Sequence, residues 1–218
     1  MPDSHELLGG QLRMFVTQPP LLPLTFNQYL LATEQPLLVH TGGNPGADQL
    51  SDQIQSALGD RELRYVFVSH FESDECGGIV KVLGAFPSAV VVCSEVTARQ
   101  LAGFGLTDRS LVKAPGETLD LGNGELTFIA YPSEMHLWNG LLAFEETRSI
   151  LFSSDLIMRL GPLGEPVVES EWVAEVEAIS AEKVPDPAGL EKIKRVLSPL
   201  AVRLIAAGHG PALDVEAR

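Results

Sequence analysis

The sequence predicts an α/β protein in which helices cover two β-sheets. Three observations lead to this prediction: many short apolar strand patterns, helical patterns interspersed between them, and hairpin patterns in both halves of the chain. The 218 residues fit a single domain spanning residues 1–218, and 45% of them are hydrophobic, which is enough for a substantial core. No repeat, low-complexity segment or linker divides the chain.

The first half of the chain alternates strand and helix patterns. Two apolar runs, FNQYLLAT (26–33) and PLLVHT (36–41), flank a turn, and LSDQIQSALG (50–59) has a helical spacing that stops at Gly59. The elements predicted next are the strand YVFVSH (65–70), the helix IVKVLGAF (79–86), the strand AVVVCS (89–94) and the short helix VTARQLAGFG (96–105).

The second half contains two hairpin patterns followed by helices. GETLDLGNGELTFIAY (116–131) places a Gly-Asn-Gly turn between two alternating runs, and LLAFEETRSILFSSD (141–155) has the polar turn EETR. The last predicted elements are the helices SEWVAEVEAISAEK (170–183) and GLEKIKRVLSPL (189–200) and the strand VRLIAA (202–207).

Charge and cysteine content exclude several classes of protein. The chain carries 15 basic and 29 acidic residues, a net charge of −14, which disfavours nucleic acid and anionic membranes as partners. Cys76 and Cys93 are too few for a disulfide framework and are interpreted as small core residues. Without a leader pattern or a long apolar run, the sequence predicts a cytoplasmic protein.

Four predicted strands end in residues that commonly bind metals. The first carries three of them, His70, Glu72 and Asp74, within SHFESDECGGI (69–79). The others are His136 after LTFIAY, Asp155 after SILFSS, and His209 after VRLIAA. A single histidine or aspartate at such a place is more often a hydrogen-bonded loop residue or a helix cap. Their coincidence at four strand ends favours a metal site, because strand ends support most catalytic and binding residues.

HFESDECGG resembles the metal-binding signature of the metallo-β-lactamase superfamily, and its H-x-E-x-D form resembles the diiron branch. That branch contains the flavodiiron proteins and the flavin-free oxygen-binding diiron proteins. The order of His136, Asp155 and His209 is similar as well, so the resemblance covers roughly residues 26–210. It implies an αββα four-layer sandwich and two irons. His70, Glu72, His136 and Asp155 would bind one iron, and Asp74, His209 and the same Asp155 would bind the other.

The glutamate at position 72 agrees with this implication on physical grounds. Zinc hydrolase sites are rich in imidazole, whereas a carboxylate in place of an imidazole is a harder, negative ligand. It therefore favours iron, with manganese or zinc as alternatives, and stabilises a higher oxidation state.

The sequence departs from the family pattern at two positions. Glu75 stands where the motif normally has a second histidine. It either binds the second metal or points away, and we expect an open or weakly ligated position. His40 stands before Thr-Gly where the superfamily often has aspartate, and it is predicted to be structural, whereas His5 is predicted to be solvent-exposed. Three aromatic residues near the motif, Phe71, Tyr131 and Trp138, either shape a gas-accessible pocket or simply pack.

The function implied by the resemblance is binding or reduction of O2 or NO at a non-haem diiron site. The chain contains no flavodoxin-like pattern and so is expected to hold no flavin. Its electrons would come from a separate donor protein, from a flavin domain of a different partner chain, or not at all. A homodimer is a separate expectation for the oligomeric state. Two alternatives stay open: a gas or redox sensor without turnover, and a dinuclear metallohydrolase of thioesters, lactams or phosphodiesters, in which Asp74 would orient a metal-bound hydroxide.

Overall fold

The computed structural model describes residues 3–19, 22–132 and 140–215. Within these ranges, fourteen strands form two seven-stranded sheets. The first sheet has the order β1-β2-β3-β4-β5-β6-β7, with β1 (Asp3–Leu7), β2 (Leu12–Thr17), β3 (Phe26–Leu31), β4 (Leu37–Val39), β5 (Tyr65–Phe67), β6 (Val90–Cys93) and β7 (Ser110–Val112).

The second sheet combines the two predicted hairpins with the last strands of the chain. Its order is β12-β14-β13-β11-β10-β9-β8, with β8 (Thr118–Asp120), β9 (Glu125–Tyr131), β10 (Gly140–Glu145), β11 (Ile150–Ser154), β12 (Val167–Glu169), β13 (Leu204–Ala207) and β14 (Ala212–Asp214). The helices are α1 (Ala47–Leu58), α2 (Ser73–Cys76), α3 (Ile79–Ala85), α4 (Glu95–Ala102), α5 (Trp172–Ala178) and α6 (Pro187–Leu197).

The alternation of side chains along each strand builds three hydrophobic layers. On β5, Phe67 faces the layer between the two sheets, whereas Val66 faces the layer beneath α1 and α3. On β11, Phe152 faces the same central layer, and Leu151 faces the layer beneath α5 and α6. Helices therefore lie on the outer face of each sheet, and the predicted αββα sandwich is confirmed.

The structure corrects some element boundaries. The pattern at 170–183 predicts a helix twice as long as α5, which ends at Ala178 because Ile179 turns to an extended conformation and is buried beneath the helix layer. The N-terminal hairpin of β1 and β2 was not predicted, and this hairpin makes the expectation for His5 wrong, because pairing with Met14 leaves His5 half-buried.

Both cysteines are buried and free, in agreement with their interpretation as core residues. Within the described ranges, no helix is long and apolar enough to cross a membrane.

Candidate metal centre

Three of the predicted ligands lie together because each follows the carboxyl end of a strand in the parallel part of its sheet. β5 is parallel to β4 and β6 in the first sheet, and β11 is parallel to β13 in the second. His70 follows β5, Asp155 follows β11 and His209 follows β13. Since the carboxyl ends of parallel strands meet at one edge, these three side chains converge there.

The short helix α2 brings three carboxylates to the same edge. Glu72 precedes it in an extended conformation, and Asp74 and Glu75 form its first turn. The helix packs closely on the loop that follows β4: Thr41 N donates to Glu75 O at 2.8 Å, and a Cβ on Gly78 would lie only 2.7 Å from the Cβ of Ala47. The glycines after Cys76 therefore permit this close contact between backbones.

The two carboxylate oxygens of Asp155 face two different imidazoles. Its Oδ1 lies 3.1 Å from Nε2 of His209, and its Oδ2 lies 3.5 Å from Nε2 of His70. Asp74 Oδ2 lies 3.5 Å from the same nitrogen of His209, and Glu72 Oε2 lies 3.1 Å from that of His70. Asp155 therefore stands between a His70–Glu72 pair and a His209–Asp74 pair.

Glu75 lies inside this group and does not point away from it. Its side chain is 2% exposed, and Oε2 lies 3.8 Å from Nε2 of His70. Ligand atoms of His70, Glu75 and Asp155 lie within 4.8 Å of one another, and so do those of Asp74, Glu75 and His209. Its Oε2 has no hydrogen-bond partner in the described ranges. This position favours the ligand interpretation of Glu75 over the open position that we expected.

Burial of these carboxylates shifts their protonation. Burial, followed by the charges of Asp155 and Asp74, raises the pKa of Glu75 well above its ordinary value. The pKa of Asp74 is raised as well, chiefly by burial. Burial alone would lower the pKa of His209, but the hydrogen bond and charge of Asp155 outweigh it, and the pKa is raised. The cluster therefore holds excess negative charge that bound cations would neutralise.

Hydrogen bonds orient both imidazoles with Nε2 toward the centre. His209 Nδ1 lies 2.6 Å from the carbonyl oxygen of Thr25, which can only accept, so this nitrogen carries the proton. His70 Nδ1 lies 3.0 Å from Ser69 Oγ. In both rings Nε2 faces the carboxylates of the cluster, where a metal would bind, as is usual for metal-binding histidines.

Ser69 connects the site to both sheets. Its Oγ lies 2.9 Å from Nε2 of His40 and 2.8 Å from Oγ of Ser154. His40 is buried, and burial, followed by the charge of His70, lowers its pKa to about 3, so the ring is neutral. His40 therefore has the structural role predicted for it, whereas Ser69, Ser154 and Thr25 were missed. Ser69 and Ser154 could have been noticed as short polar residues beside a predicted ligand, whereas Thr25 lies far from every predicted ligand in the sequence.

A local irregularity in β11 aims Asp155. The register with β13 shifts between Phe152 and Ser154, and Ser154 has a φ of 49°. Bulges of this kind redirect the side chains that follow them. Gly208 lies beside this carboxylate: a Cβ there would lie 3.1 Å from Oδ1 of Asp155, so a larger residue would press on the carboxylate.

A cavity of about 480 Å³ opens onto the cluster. Its lining includes the ligands Glu72, Asp74, Asp155 and His209 and also Leu22, Leu24, Phe26, Ser73, Met158, Glu182, Lys183 and Pro185. The cavity therefore gives access to the cluster from solvent.

Of the two roles considered for the aromatic residues, Tyr131 and Phe71 take the packing role. Tyr131 packs edge-on against His70, with ring centroids 5.4 Å apart. Phe71 packs against Phe104 and is absent from the cavity lining, which instead contains Phe26, edge-on to His209. The remaining predicted residues, His136 and Trp138, lie outside the described ranges.

These residues fit two metal ions better than one. Histidine and carboxylate donors form two overlapping groups that share Glu75, and Asp155 of the first group also faces His209 of the second. The Glu75 oxygen that has no hydrogen-bond partner in the described ranges needs a cation or a proton. An αββα sandwich with such a group at its sheet edge is characteristic of the dinuclear metalloproteins of the metallo-β-lactamase superfamily.

Residues 24–210 match the family described as ODP family beta lactamase, and the chain belongs to this family, in the diiron branch of the superfamily. It is 29% identical over 138 residues to the coenzyme F420H2 oxidase of Methanothermobacter marburgensis, covering 60% of this chain and 34% of the relative. It is 24% identical over 135 residues to the anaerobic nitric oxide reductase flavorubredoxin of Salmonella arizonae, covering 60% of this chain and 28% of the relative.

The fold is similar to solved structures. A mutant flavo-di-iron protein of Thermotoga maritima superposes with a TM-score of 0.82 at 18% identity, over 98% of this chain and 58% of that protein. The chain spans about a third of the length of the curated relatives that it matches.

Proposed function

We propose that this protein holds two iron ions and binds or reduces O2 or NO. The observation that carries the proposal is the position of Asp155, whose two oxygens face His70 and His209 separately. A carboxylate in this position can contact two cations at once. The named relatives are an oxidase and a nitric oxide reductase, which supports the same chemistry.

The proposed ligands divide into two sets. His70, Glu72 and Asp155 bind one ion, together with His136 as the resemblance implies, and Asp74, Asp155 and His209 bind the other. Glu75 supplies an oxygen between them. Four carboxylates balance the charge of two divalent ions, and oxygen-rich donor sets favour iron or manganese over zinc.

The protein's own residues then orient the site and limit access to it. Thr25 O and Ser69 Oγ hold the two imidazoles with Nε2 inward. The cavity beside Phe26 gives the gas a path to the cluster. When bound, two ferrous ions together supply two electrons to a diatomic gas. The match covers only about a third of each relative's length. We therefore propose that further electrons come from a donor that is separate from the diiron domain.

The hydrolase alternative finds no support in these comparisons, since the named relatives are redox proteins. The reductase and sensor alternatives differ in their need for a donor. A sensor changes state once per gas molecule and needs no continuous supply of electrons. A reductase requires that supply.

Rapid mixing tests the proposal. Protein reconstituted with iron under anaerobic conditions and reduced is mixed with O2 or with NO while the absorbance is recorded. We expect two irons per chain and a spectral change with at least one gas, decaying slowly without a donor. Adding a flavin reductase system should produce steady turnover for a reductase and little change for a sensor. Protein with two irons and no response to either gas would contradict the proposal.

A further inference from the structure

One charged residue in the cavity has no part in the ligand set. Lys183 lies in the connection between α5 and α6, is half-buried, and lines the cavity together with Asp155 and His209. It is the only lysine or arginine among the described residues of the lining. Most lysines are solvated at the surface, so a lysine in this position requires an explanation.

The backbone holds Lys183 in place. The carbonyl oxygen of Ser180 accepts hydrogen bonds from Lys183 N at 3.0 Å and from Val184 N at 2.9 Å. Val184 is fully buried beneath the helix layer, and Asp186 caps α6 by accepting from Gly189 N at 2.6 Å. The connection is therefore fixed on both sides of Lys183, which keeps its side chain over the cavity.

The charges around the cavity give Lys183 a role once cations are bound. Burial lowers the pKa of Lys183, and the negative charge of Asp155 opposes this effect. The ammonium group is therefore partly removed from water and interacts electrostatically with the cluster. Two divalent ions would balance the four carboxylates Glu72, Asp74, Glu75 and Asp155. The remaining acidic neighbour, Glu182, is exposed to solvent, where its charge is screened.

We propose that Lys183 makes this cavity a binding site for small monovalent anions, of the size and charge of nitrite or azide. This inference rests on the proposed dimetal site, because without cations the carboxylates would repel an anion. A different role is that Lys183 holds the carboxylates in place as a structural contact. The two roles predict opposite effects on metal binding, since removal of a positive charge beside bound cations relieves repulsion, whereas loss of a structural contact weakens the site.

Azide is a suitable probe because it is small, carries one negative charge and can be titrated by absorbance. Lys183→Met, Lys183→Arg and the control Lys192→Met are loaded with iron, and metal content and azide affinity are measured at one ionic strength. Lys192 is exposed on α6 and absent from the lining, so its variant removes the same charge from the surface.

We expect Lys183→Met to weaken azide binding about three- to tenfold, as for loss of one charge-assisted contact, while iron affinity is unchanged or rises. Lys183→Arg should keep most of the azide affinity, and Lys192→Met should match the wild type. Unchanged azide affinity in a fully loaded Lys183→Met protein would overturn the inference, as would a joint loss of iron and azide binding. Failure of the wild type to bind iron would overturn the proposed function and this inference together.

Discussion

Oδ1 of Asp155 lies 3.1 Å from Nε2 of His209, while the other oxygen of the same carboxylate faces His70. The side chain that directly follows β11 therefore reaches both halves of the cluster. The strand is parallel to β13, which His209 follows, and a shift in their register directs the carboxylate between the two imidazoles.

Asp155→Ala should remove metal from both positions, because no neighbouring carboxylate replaces both of its oxygens. We expect affinity at each position to fall by at least about a hundredfold, more than for most residues that only orient a ligand. Iron per chain after dialysis against a graded chelator measures this effect. Asp52→Ala, at an exposed site on α1, is the control. Loss of only one iron would show that Asp155 does not bridge.

Glu75→Gln should raise the stability of the metal-free protein at alkaline pH and lower the stability of the metal-loaded protein. A carboxyl group whose pKa is raised on folding binds protons more tightly in the folded state, so stability falls as the pH rises from the ordinary pKa of glutamate through the raised one. Metal-free wild-type protein should therefore lose stability between about pH 5 and about pH 8. Over the same pH range the metal-free glutamine variant should lose less stability than the wild type, by a difference of roughly 1–3 kcal/mol.

Urea unfolding at both pH values measures this difference, with Glu191→Gln on the exposed face of α6 as the control. With iron bound, the variant should instead be less stable than the wild type, because glutamine is a neutral and weaker ligand than glutamate. If the variant equals the wild type in both forms, Glu75 lies outside the charged cluster.

Glu72→His should shift the preference of the site toward zinc. The change replaces a carboxylate 3.1 Å from His70 Nε2 by an imidazole and restores the nitrogen-rich donors that suit zinc. Competition between equal concentrations of ferrous and zinc ions, followed by elemental analysis, measures the ratio bound. An unchanged ratio would mean that residue 72 does not bind the metal.

Ser69→Ala should destabilise the metal-free protein by about 1–3 kcal/mol, since it leaves a buried nitrogen of His40 and a buried hydroxyl of Ser154 without their partner. Thermal and chemical unfolding measure the loss. Ser56→Ala, exposed on α1, should have little effect. Stability equal to the wild type would show that water replaces the Ser69 hydroxyl.

Iron affinity of Ser69→Ala should fall as well, by about ten- to a hundredfold, because His70 loses the group that orients its ring. This second measurement separates orientation of the ligand from general stability. The Ser69→Cys variant, with a weak acceptor at the same place, should lie between the two proteins.

The sequence by itself determined the features that depend on neighbours along the chain. Apolar patterns predicted β3–β6, β8–β11 and β13 but not β1, β2, β7, β12 or β14, and helical spacing predicted α1, α3, α4 and α6. The H-x-E-x-D pattern placed His70, Glu72 and Asp74 at a strand end. These signals are reliable because strand and helix periodicities are local properties of a few consecutive residues.

Only the tertiary structure decided how distant residues complete the site. Ser69 and Ser154 belong to different sheets, yet their hydroxyl oxygens lie 2.8 Å apart, and no local pattern encodes that contact. The inward position of Glu75 depends on packing of α2 against the loop after β4, and the place of Lys183 depends on where α5 ends. Such contacts arise when the two sheets pack together, because burial of the layer between them fixes which strand ends meet.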